Sequence, residues 1–493
     1  MTAAQTTHGS ATASWVGSPR AFIAPLALAQ FICSFAGSNM NVMINDISHD
    51  LNTDVKGVQT TITLFLLIMA VLMIPCSKLT DRFGRKRCLI GGLTLYGIGT
   101  VLSAVAPRLG VLILGNSVFQ GVGTAFLIPP VYILTTIAFT SLESRAKAFG
   151  VISGMGGIGA AAGPLIGGLI TSGISWRAAF GFQALVVVTI IVLSRRVTDP
   201  VAPDPSRPFD GMGAALSAVG MFFVVFGILQ AGENNTLLVI SLAIGCALLA
   251  AFFVYIRARE RAGEEPLLST TVFRNRTANL GLVTQNLQWL LLMGTSFTVS
   301  VFLQTERHYD AIKTGVIFTA ATLGVLVSSL AAERLAKRHP QKTLIAEGFV
   351  LVFVGVGLLL ALVKAASSSA WAFAPGLLLI GLGLGVMLTP SVNVVQGAFP
   401  EDKQGEISGL SRSVSNLGSS FGTAIAGTIL VSDLTSGNGT YVAAMIVLAA
   451  VALIGLGIAI RLPANPVQSP DAAGGAAPAQ GTLTPAASLR QTR

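Results

Sequence analysis

The sequence predicts an all-α polytopic membrane protein with about fourteen transmembrane helices. Of its 493 residues, 52% are hydrophobic and only 11% are charged, a balance far from that of soluble globular proteins. Apolar runs of about twenty residues, each able to cross about 30 Å as a helix, recur along the chain. Basic residues concentrate in alternate connections between these runs. Together the three observations exclude a soluble protein.

The apolar runs define the predicted spans in order. They lie at residues 22–44, 58–76, 88–106, 109–130, 146–170, 178–196, 212–230, 236–255, 278–303, 313–332, 343–363, 371–395, 408–430 and 440–460. An even number of spans puts both termini on one side of the membrane. The first run is too long for the apolar region of a signal peptide, so it is expected to remain as span one.

The distribution of basic residues predicts the orientation. Of the 31 Lys and Arg residues, six fall in odd-numbered connections, namely Lys56, Arg108, Arg177, Arg307, Lys313 and Lys364. Positive charge is enriched on the cytoplasmic side, so both termini are predicted to be cytoplasmic in a multi-pass protein of the cytoplasmic membrane. The net charge of +10 then reflects topology and anionic lipid, and no nucleic-acid partner is expected.

A faint internal repeat predicts the domain organisation. Gly121-Val122-Gly123, with Pro130 seven positions later, reappears 260 residues on as Gly381-Leu382-Gly383 with Pro390. The repeat implies two six-helix halves with two helices inserted between them. The predicted units are a cytoplasmic tail (1–20), an N-terminal half (21–197), a linker with two extra transmembrane helices and a cytoplasmic loop with a short interfacial helix (198–276), a C-terminal half (277–461) and a disordered cytoplasmic tail (462–493).

The connection between spans two and three, residues 77–87, carries five basic residues and one carboxylate. Gly84 permits a tight reversal, and Asp81 can bond to helix N-termini or to arginines. We expect a conformational role for a set within this loop: Asp81, Arg82, Gly84, Arg85 and Lys86. A loop that only fixes topology is the alternative.

Span five carries a run of small residues with a proline. Its members are Gly154, Gly159, Gly163, Pro164, Gly167 and Gly168. Glycines four residues apart form a groove that a neighbouring backbone can approach, and a proline inside a helix permits a kink. We therefore predict a closely packed hinge. An ordinary packing face of small residues would also explain the glycines.

Both motifs resemble those of the major facilitator superfamily. The 77–87 loop is similar to its connection between spans two and three, with Ser77 in place of the usual Gly, and the span-five run resembles its antiporter motif at every specified position. Further segments resemble the fourteen-span drug:proton antiporter branch: Asn41-Val42, Gln120–Gly123, Trp176-Arg177, Phe209-Asp210, Pro266–Leu268 and Gly405–Gly409. The resemblance implies export of small amphipathic compounds by alternating access coupled to protons.

The chain departs from that branch at both of its usual coupling charges. Ala36 stands where the branch carries a mid-membrane Asp, and Ser117 where it carries an Arg. Asp46 and Glu347 are the candidate replacement carboxylates, and a solvated helix end or a headgroup partner for Lys342 are their alternatives. Arg412 replaces a small polar residue of the branch; it either faces the cavity, to bind an anionic group or a carboxylate, or reaches the headgroups.

Amide side chains in apolar helices are the candidates for substrate binding, because such groups seldom face lipid. They are Asn39, Asn41, Asn45, Asn116, Gln120, Gln285, Gln288, Asn393 and Asn416. We expect about half of them to touch substrate near mid-membrane and the others to bond neighbouring helices.

The sequence shows no metal cluster, nucleophile–base pair or nucleotide loop, so neither enzymatic activity nor a cofactor is expected. The four cysteines are scattered without paired spacing and are interpreted as packing residues. A monomer that binds a small molecule and protons within the lipid bilayer is predicted. Two other functions stay open: a facilitator or importer of a metabolite or lipid without the usual proton coupling, and a non-transporting membrane receptor.

Overall fold

The computed structural model describes residues 19–139, 142–199, 202–206, 208–231, 234–336, 338–364, 370–399, 404–431 and 438–463. Those residues form helices joined by short connections, with no strand among them. The predicted tail at 1–20 lies almost wholly outside the described residues, as does the predicted disordered tail at 462–493.

The described residues contain sixteen α-helices. They are α1 Pro19–Asn39, α2 Ile44–Asp50, α3 Val55–Phe83, α4 Arg85–Ala104, α5 Leu109–Leu112, α6 Gly121–Ala138, α7 Leu142–Gly173, α8 Trp176–Ser194, α9 Gly211–Leu229, α10 Asn235–Arg261, α11 Arg276–Val301, α12 Ala311–Ala336, α13 Gln341–Lys364, α14 Ala374–Gln396, α15 Gln404–Val431 and α16 Asn438–Ala459. Shorter turns complete them: 3₁₀ turns at Met40–Val42, Thr270–Arg274 and Ala370–Phe373, and π turns at Ile113–Gln120 and Phe302–Glu306.

The helices confirm the predicted number of spans. Thirteen helical segments of the described chain are long and apolar enough to cross a bilayer, and the bent helix α7 makes a fourteenth. Helices α5 and α6 join through a π turn into one span, Leu109–Ala138. Helix α2 is too short to cross and lies outside the first span. The protein is therefore all-α and polytopic, as the sequence predicts.

Helix α7 bends by 41° between its segments Gly150–Ala160 and Ala162–Gly173. Pro164 is the physical cause, because its ring has no N–H to donate and stands against the carbonyl of Ala160, four residues earlier. The kink that the sequence permits is thus present in the structure, and it lies between Gly159 and Gly163 of the motif.

Helix packing repeats between the two halves, as the sequence repeat suggests. In the first half, a Cβ on Gly123 would lie 2.8 Å from the carbonyl oxygen of Gly92, so α6 and α4 pack backbone to backbone. In the second half, a Cβ on Gly383 would lie 2.5 Å from the carbonyl oxygen of Gly348, which brings α14 and α13 together in the same way. Helix α1 packs on α7, and α11 packs correspondingly on α15.

Two seams join the halves. One runs along α3 and α15: Gln59 donates to the carbonyl of Ala424 (3.1 Å), and Ser413 donates to the carbonyl of Ala70 (2.5 Å). The other joins α7 to α12. We call the end of the bundle that carries residues 77–87 the basic end and the opposite end the far end. Hydrogen bonds of the α3–α15 seam occur from the far end to the middle of the bundle.

The inserted helices α9 and α10 pack on each other and beside the α3–α15 seam, where Thr428 donates to the carbonyl of Ile228 (3.3 Å). The buried carboxylate of Asp210 caps α9 by accepting from Gly213 N–H (2.8 Å), and it also accepts from Leu267 N–H (3.0 Å). In the loop that follows α10, the predicted short helix is the 3₁₀ turn Thr270–Arg274.

Candidate functional site

A cavity lies between the two halves near the middle of the bundle. It holds about 600 Å³ of empty space, part of it open to solvent. Ser34 on α1 and Trp289 on α11, which both line the cavity, are each about 20 Å along the helix from its basic end. Its lining residues are Gln30, Cys33, Ser34, Gly37, Phe65, Leu66, Met69, Met73, Ile128, Ala160, Trp289, Met293, Arg412, Ser415, Asn416 and Ser419.

Arg412 lies in this cavity wall rather than among the headgroups. Its guanidinium donates to the Tyr132 hydroxyl and lies over the Tyr132 ring, 4.7 Å from the centroid. The Tyr132 hydroxyl in turn donates to Gln30 Oε1 (3.1 Å), and Gln30 Nε2 donates to Ser34 Oγ (3.2 Å). A chain of neutral polar groups on α6 and α1 therefore holds a cation that belongs to α15.

Of the nine amides predicted to bind substrate, Asn416 lines the cavity. Gln285 and Gln288 are buried within the C-terminal half: Gln285 accepts from Ser411 Oγ (2.8 Å), and Gln288 donates to the carbonyl of Leu384 (3.3 Å). Asn393 is exposed on α14. In this conformation these three side chains are not part of the wall.

Asn116 and Gln120 lie in the π turn of the fourth span and are fully buried within the N-terminal half. Gln120 donates to Ser103 Oγ (3.3 Å). Ser117, at the position of the branch's Arg, donates to the carbonyl of Thr61 (2.7 Å). This part of span four therefore joins helices of one half, without a charged group at the cavity.

Asn41 and Asn45 take part in a contact between the halves at the far end. Gln304, in the π turn that ends α11, donates to the carbonyl of Asn41 (2.7 Å). Asn45 donates through its amide nitrogen to the carbonyl of Gln304 (2.7 Å) and through its backbone N–H to Gln304 Oε1 (3.2 Å). Asn39, two residues before Asn41, is fully buried. These residues close the bundle beyond the cavity, on its far side.

Three of the motif glycines seat α1 against α7. A Cβ on Gly159 would lie 3.0 Å from the carbonyl carbon of Phe31, and one on Gly163 would collide with Ser38. A Cβ on Gly167 would lie 3.1 Å from Cβ of Asn39. A larger side chain at Gly159 would displace the backbone of α1, and one at Gly163 or Gly167 would require neighbouring α1 atoms to shift.

The remaining motif residues divide into two groups. Gly168 and Pro164 face the other half: a Cβ on Gly168 would lie 3.0 Å from the carbonyl carbon of Ala311, and one on Gly315 would lie 3.1 Å from the carbonyl carbon of Pro164. Gly154 differs, because a Cβ there would meet nothing within 4 Å. The predicted groove thus runs from Gly159 to Gly168 and excludes Gly154.

The 77–87 loop is bonded to itself, to the end of α8 and to the chain just after it. Asp81 accepts from Arg85 (2.7 Å), and Asp199, just after α8, accepts from the backbone N–H of Arg85 (2.8 Å). Lys86 Nζ donates to the carbonyl of Arg195 (2.9 Å). Gly84 has φ +96°, a backbone conformation that suits glycine, and it ends α3. Arg82 lies in the last turn of α3.

The candidate coupling carboxylates lie away from the cavity. Asp46 is exposed on α2 at the far end. Partial desolvation raises the pKa of its carboxyl; a backbone hydrogen bond opposes this rise, Asp310 adds to it, and His49 makes a smaller lowering contribution. Glu347 is exposed on α13. Neither belongs to the cavity wall.

The model of the Major Facilitator Superfamily matches residues 26–274 and 281–491 of this chain. The chain belongs to the Major Facilitator Superfamily. Proteins of this superfamily bind small-molecule substrates.

Named relatives within the superfamily carry resistance functions. Multidrug resistance protein Stp of Mycobacterium tuberculosis is 27% identical over 80% of this chain and 73% of its own length. Puromycin resistance protein pur8 of Streptomyces alboniger is 28% identical over 81% of this chain and 80% of its own length. A crystal structure of the peptide transporter POT in complex with alafosfalin shares the fold, with a TM-score of 0.66, 16% identity and coverage of 91% of this chain and 96% of that one.

The sequence reasoning missed three residues: Gln30 and Tyr132, which hold Arg412 at the cavity, and Gln304, which joins the halves at the far end. Gln30 and Gln304 are polar residues within apolar spans, the same signal that selected the nine candidate amides. Tyr132 has no comparable signal, because a tyrosine in an apolar run is ordinary. Its role depends on the position of Arg412, 280 residues away, which only the fold supplies.

Proposed function

We propose that this chain is a secondary transporter that exports small amphipathic compounds across the cytoplasmic membrane by alternating access. The observation that carries the proposal is a central cavity lined by both halves, with the contacts of Gln304 and Gly168 closing the bundle on its far side. In this conformation the cavity would open toward the basic end. Relatives named for multidrug and puromycin resistance support export as the direction of transport.

The proposal includes the orientation of the protein in the membrane and its oligomeric state. The basic end would face the cytoplasm, because lysines and arginines of membrane proteins accumulate on that side. The chain would act as a monomer, since the cavity is formed by the two halves of one polypeptide. Binding and release of substrate, rather than a chemical reaction on it, would be its activity.

Everted membrane vesicles containing the full chain test export directly. A panel of aromatic cations, neutral compounds and anions should include members that accumulate inside the vesicles when a pH gradient is imposed, and vesicles with an empty vector should not take them up. Accumulation that is equally fast without any gradient, and that never exceeds equilibrium, would favour the facilitator instead.

Proton coupling would use Asp46, the carboxylate nearest the end of span one, since Ala36 leaves no carboxylate within that span. Its raised pKa makes protonation easier at a given pH than for an ordinary Asp. We expect Asp46→Asn to exchange substrate down its gradient but no longer to concentrate it when a pH gradient is imposed. Full gradient-driven accumulation by this variant would exclude Asp46 as the coupling group.

Asp310→Asn is the informative companion variant, because Asp310 is the neighbouring carboxylate that raises the Asp46 pKa. Removing that negative charge should lower the Asp46 pKa and shift the pH dependence of coupled transport toward lower pH. Coupling itself should persist, because Asp46 is retained.

A further inference from the structure

We propose that the central cavity takes amphipathic organic anions, in which an aromatic body carries a single carboxylate, sulfonate or phosphate group, and that Arg412 binds the anionic group. The proposal rests on the export function proposed above, because it assigns the substrate class of the same cavity. It concerns charge, which neither the fold nor the motifs determine.

Arg412 is the one charged residue among the sixteen that line the cavity. In the part of the chain that the structure describes, no carboxylate lies within ion-pair distance of its guanidinium. A cation held between apolar helices without a counter-charge is costly, because its lost hydration is only partly replaced by neutral dipoles. A substrate that brings its own negative charge removes this cost, whereas a cationic substrate increases it.

The geometry leaves the guanidinium available to a ligand. A guanidinium has five N–H donors in a planar fork. The hydroxyl of Tyr132 accepts from one nitrogen of Arg412, and the Tyr132 ring supports the guanidinium plane. Tyr132 is itself fixed by Gln30. The fork is thus preorganised, and donors that the described residues do not engage can bond a carboxylate or sulfonate through two oxygens at once.

The rest of the wall favours an aromatic body. Phe65, Met69, Met73, Trp289 and Met293 supply two aromatic surfaces and three flexible thioethers. Thioether side chains adapt to irregular apolar ligands and contact aromatic rings favourably. Hydroxyl and amide groups of α15, at Ser415, Asn416 and Ser419, follow Arg412 along the same wall and can accept or donate single hydrogen bonds.

A cationic drug would find no matching group in this wall. No carboxylate is among the sixteen lining residues, and Asp46 lies outside span one on α2. Trp289 could attract a cation through its ring face, but such a contact contributes about 0.5–2 kcal/mol. Repulsion from Arg412 in the same small cavity opposes it.

A charge series on one aromatic body tests the proposal: 1-naphthoate, its neutral analogue 1-naphthamide and the cation 1-naphthylmethylammonium. Binding to the purified full chain in detergent is measured by calorimetry. We expect naphthoate to bind about tenfold or more tightly than the amide, as for a charge-assisted bidentate pair, and the ammonium probe to bind most weakly. An ammonium probe that binds as tightly as naphthoate would overturn the proposal without any variant.

Arg412→Gln should weaken naphthoate binding by about tenfold or more and leave naphthamide binding unchanged, whereas Arg412→Lys should retain part of the naphthoate affinity. Arg108→Gln is the matched control, since Arg108 is exposed at the far end, outside the cavity. If Arg412→Gln weakened the binding of all three probes equally, Arg412 would only maintain the shape of the cavity, and the proposal would be overturned. The binding of the three probes to the unsubstituted chain tests the proposal without any variant, so misfolding of a variant would not prevent the test.

Transport into vesicles distinguishes failure of the anion proposal from failure of the export function on which it rests. Gradient-driven uptake of 1-naphthylmethylammonium in preference to naphthoate would overturn the anion assignment and leave export standing. Absence of uptake of any compound in the panel, by protein shown to be inserted and folded, would overturn the export function and the anion proposal with it. Preferential uptake of naphthoate, reduced by Arg412→Gln and not by Arg108→Gln, is the result expected.

Discussion

The two ends of the bundle use different chemistry to hold their helices. At the far end the halves meet through small residues and amides: Gly168 lies against the backbone of α12, and Gln304 bonds the backbone that follows α1. At the basic end a charged pair, Asp81–Arg85, lies within one half. Across the halves, near the cavity, a cation bonds a neutral hydroxyl.

This difference predicts different consequences of substitution at the two ends. Far-end contacts exist only while the halves are together there, so removing them should change the balance between conformations. Basic-end ion pairs of the N-terminal half can persist when the halves move, so removing them should reduce stability first. A conformational equilibrium is shifted only by interactions that differ between its states.

The largest effect is expected for Gly168→Val. The added side chain would meet the backbone of Ala311 and Ile312, which cannot move without separating α7 from α12. Overpacking of this kind costs about 1–3 kcal/mol, which corresponds to about 5- to 150-fold in the population of the far-closed conformation. Transport in vesicles should fall to a small fraction of normal while insertion continues.

Gly157→Val is the matched control, because Gly157 lies on the same helix as Gly168 and a Cβ there would meet no atom within 4 Å. Gly37→Cys provides the conformational readout, since Gly37 lines the cavity and has free space for a side chain. An impermeant maleimide added on the far side should label Gly37→Cys faster in the Gly168→Val background than in the Gly157→Val background. Equal labelling rates in the two backgrounds would show that Gly168 does not contribute to closure of the far end.

A smaller shift in the same direction is expected for Gln304→Leu. The substitution removes the two bonds of the Gln304 side chain, to the carbonyl of Asn41 and from the backbone N–H of Asn45, and keeps a side chain of similar volume. Each bond contributes about 0.5–1.5 kcal/mol, but the side chain of Asn45 can still reach the carbonyl of residue 304, so a loss of about 1–2 kcal/mol is expected. Far-side labelling of Gly37→Cys should increase modestly.

Gln183→Leu is the control for that variant, because Gln183 is a buried amide whose bond to Tyr96 (2.7 Å) lies within the N-terminal half. It should lower thermal stability without changing labelling of Gly37→Cys. If Gln183→Leu increased labelling as much as Gln304→Leu, burial of an amide rather than contact between the halves would be the relevant property.

The sequence predicted those features of the far end that depend on one helix alone. Small residues at helical spacing and Pro164 were sufficient to locate the groove and the kink of α7. The faces of the groove could not be predicted, since Gly163 and Gly168 look alike in the sequence but pack against different halves. Gly154 is the same residue type, but a Cβ there would meet nothing within 4 Å, which its place in the sequence does not reveal.

The cavity was less predictable than the spans. An amide in an apolar run indicates that a helix face is not toward lipid, but it does not reveal whether a helix or a cavity lies opposite. Asn416 faces the cavity, whereas Gln285 and Gln288 bond helices of their own half. The distinction depends on distant pairings such as that of Arg412 with Tyr132.

At the basic end, Asp81→Asn should act on stability and then on turnover. The asparagine retains an acceptor for Arg85 but loses the charge that assists the bond, so a loss of about 1 kcal/mol is expected. Thermal unfolding in detergent should shift down, and labelling of Gly37→Cys from the far side should stay unchanged. Asp54→Asn is the control. The Asp54 side chain caps the N-terminus of α3, and an asparagine caps a helix about equally well.

The smallest effect is expected for Asp50→Asn, which lies at the far end but within one half. Asp50 accepts from Arg177 and from Trp176 Nε1 (2.9 Å), and these two bonds, that of Arg177 first, lower the pKa of its carboxyl. A lowered pKa stabilises the fold above the ordinary Asp value of about 3.9 and loses that contribution as pH falls through the folded value. The pair is well exposed, so solvent and salt screening limit it to about 0.2–1 kcal/mol.

Thermal unfolding of Asp50→Asn and of the unsubstituted chain should therefore differ slightly at pH 7, and the difference should shrink below about pH 4 as Asp50 becomes protonated in the unsubstituted chain. Far-side labelling of Gly37→Cys should be the same in both, because α2 and α8 belong to one half. Increased labelling in Asp50→Asn would contradict the distinction drawn here, since position at the far end, and not contact between the halves, would then control closure.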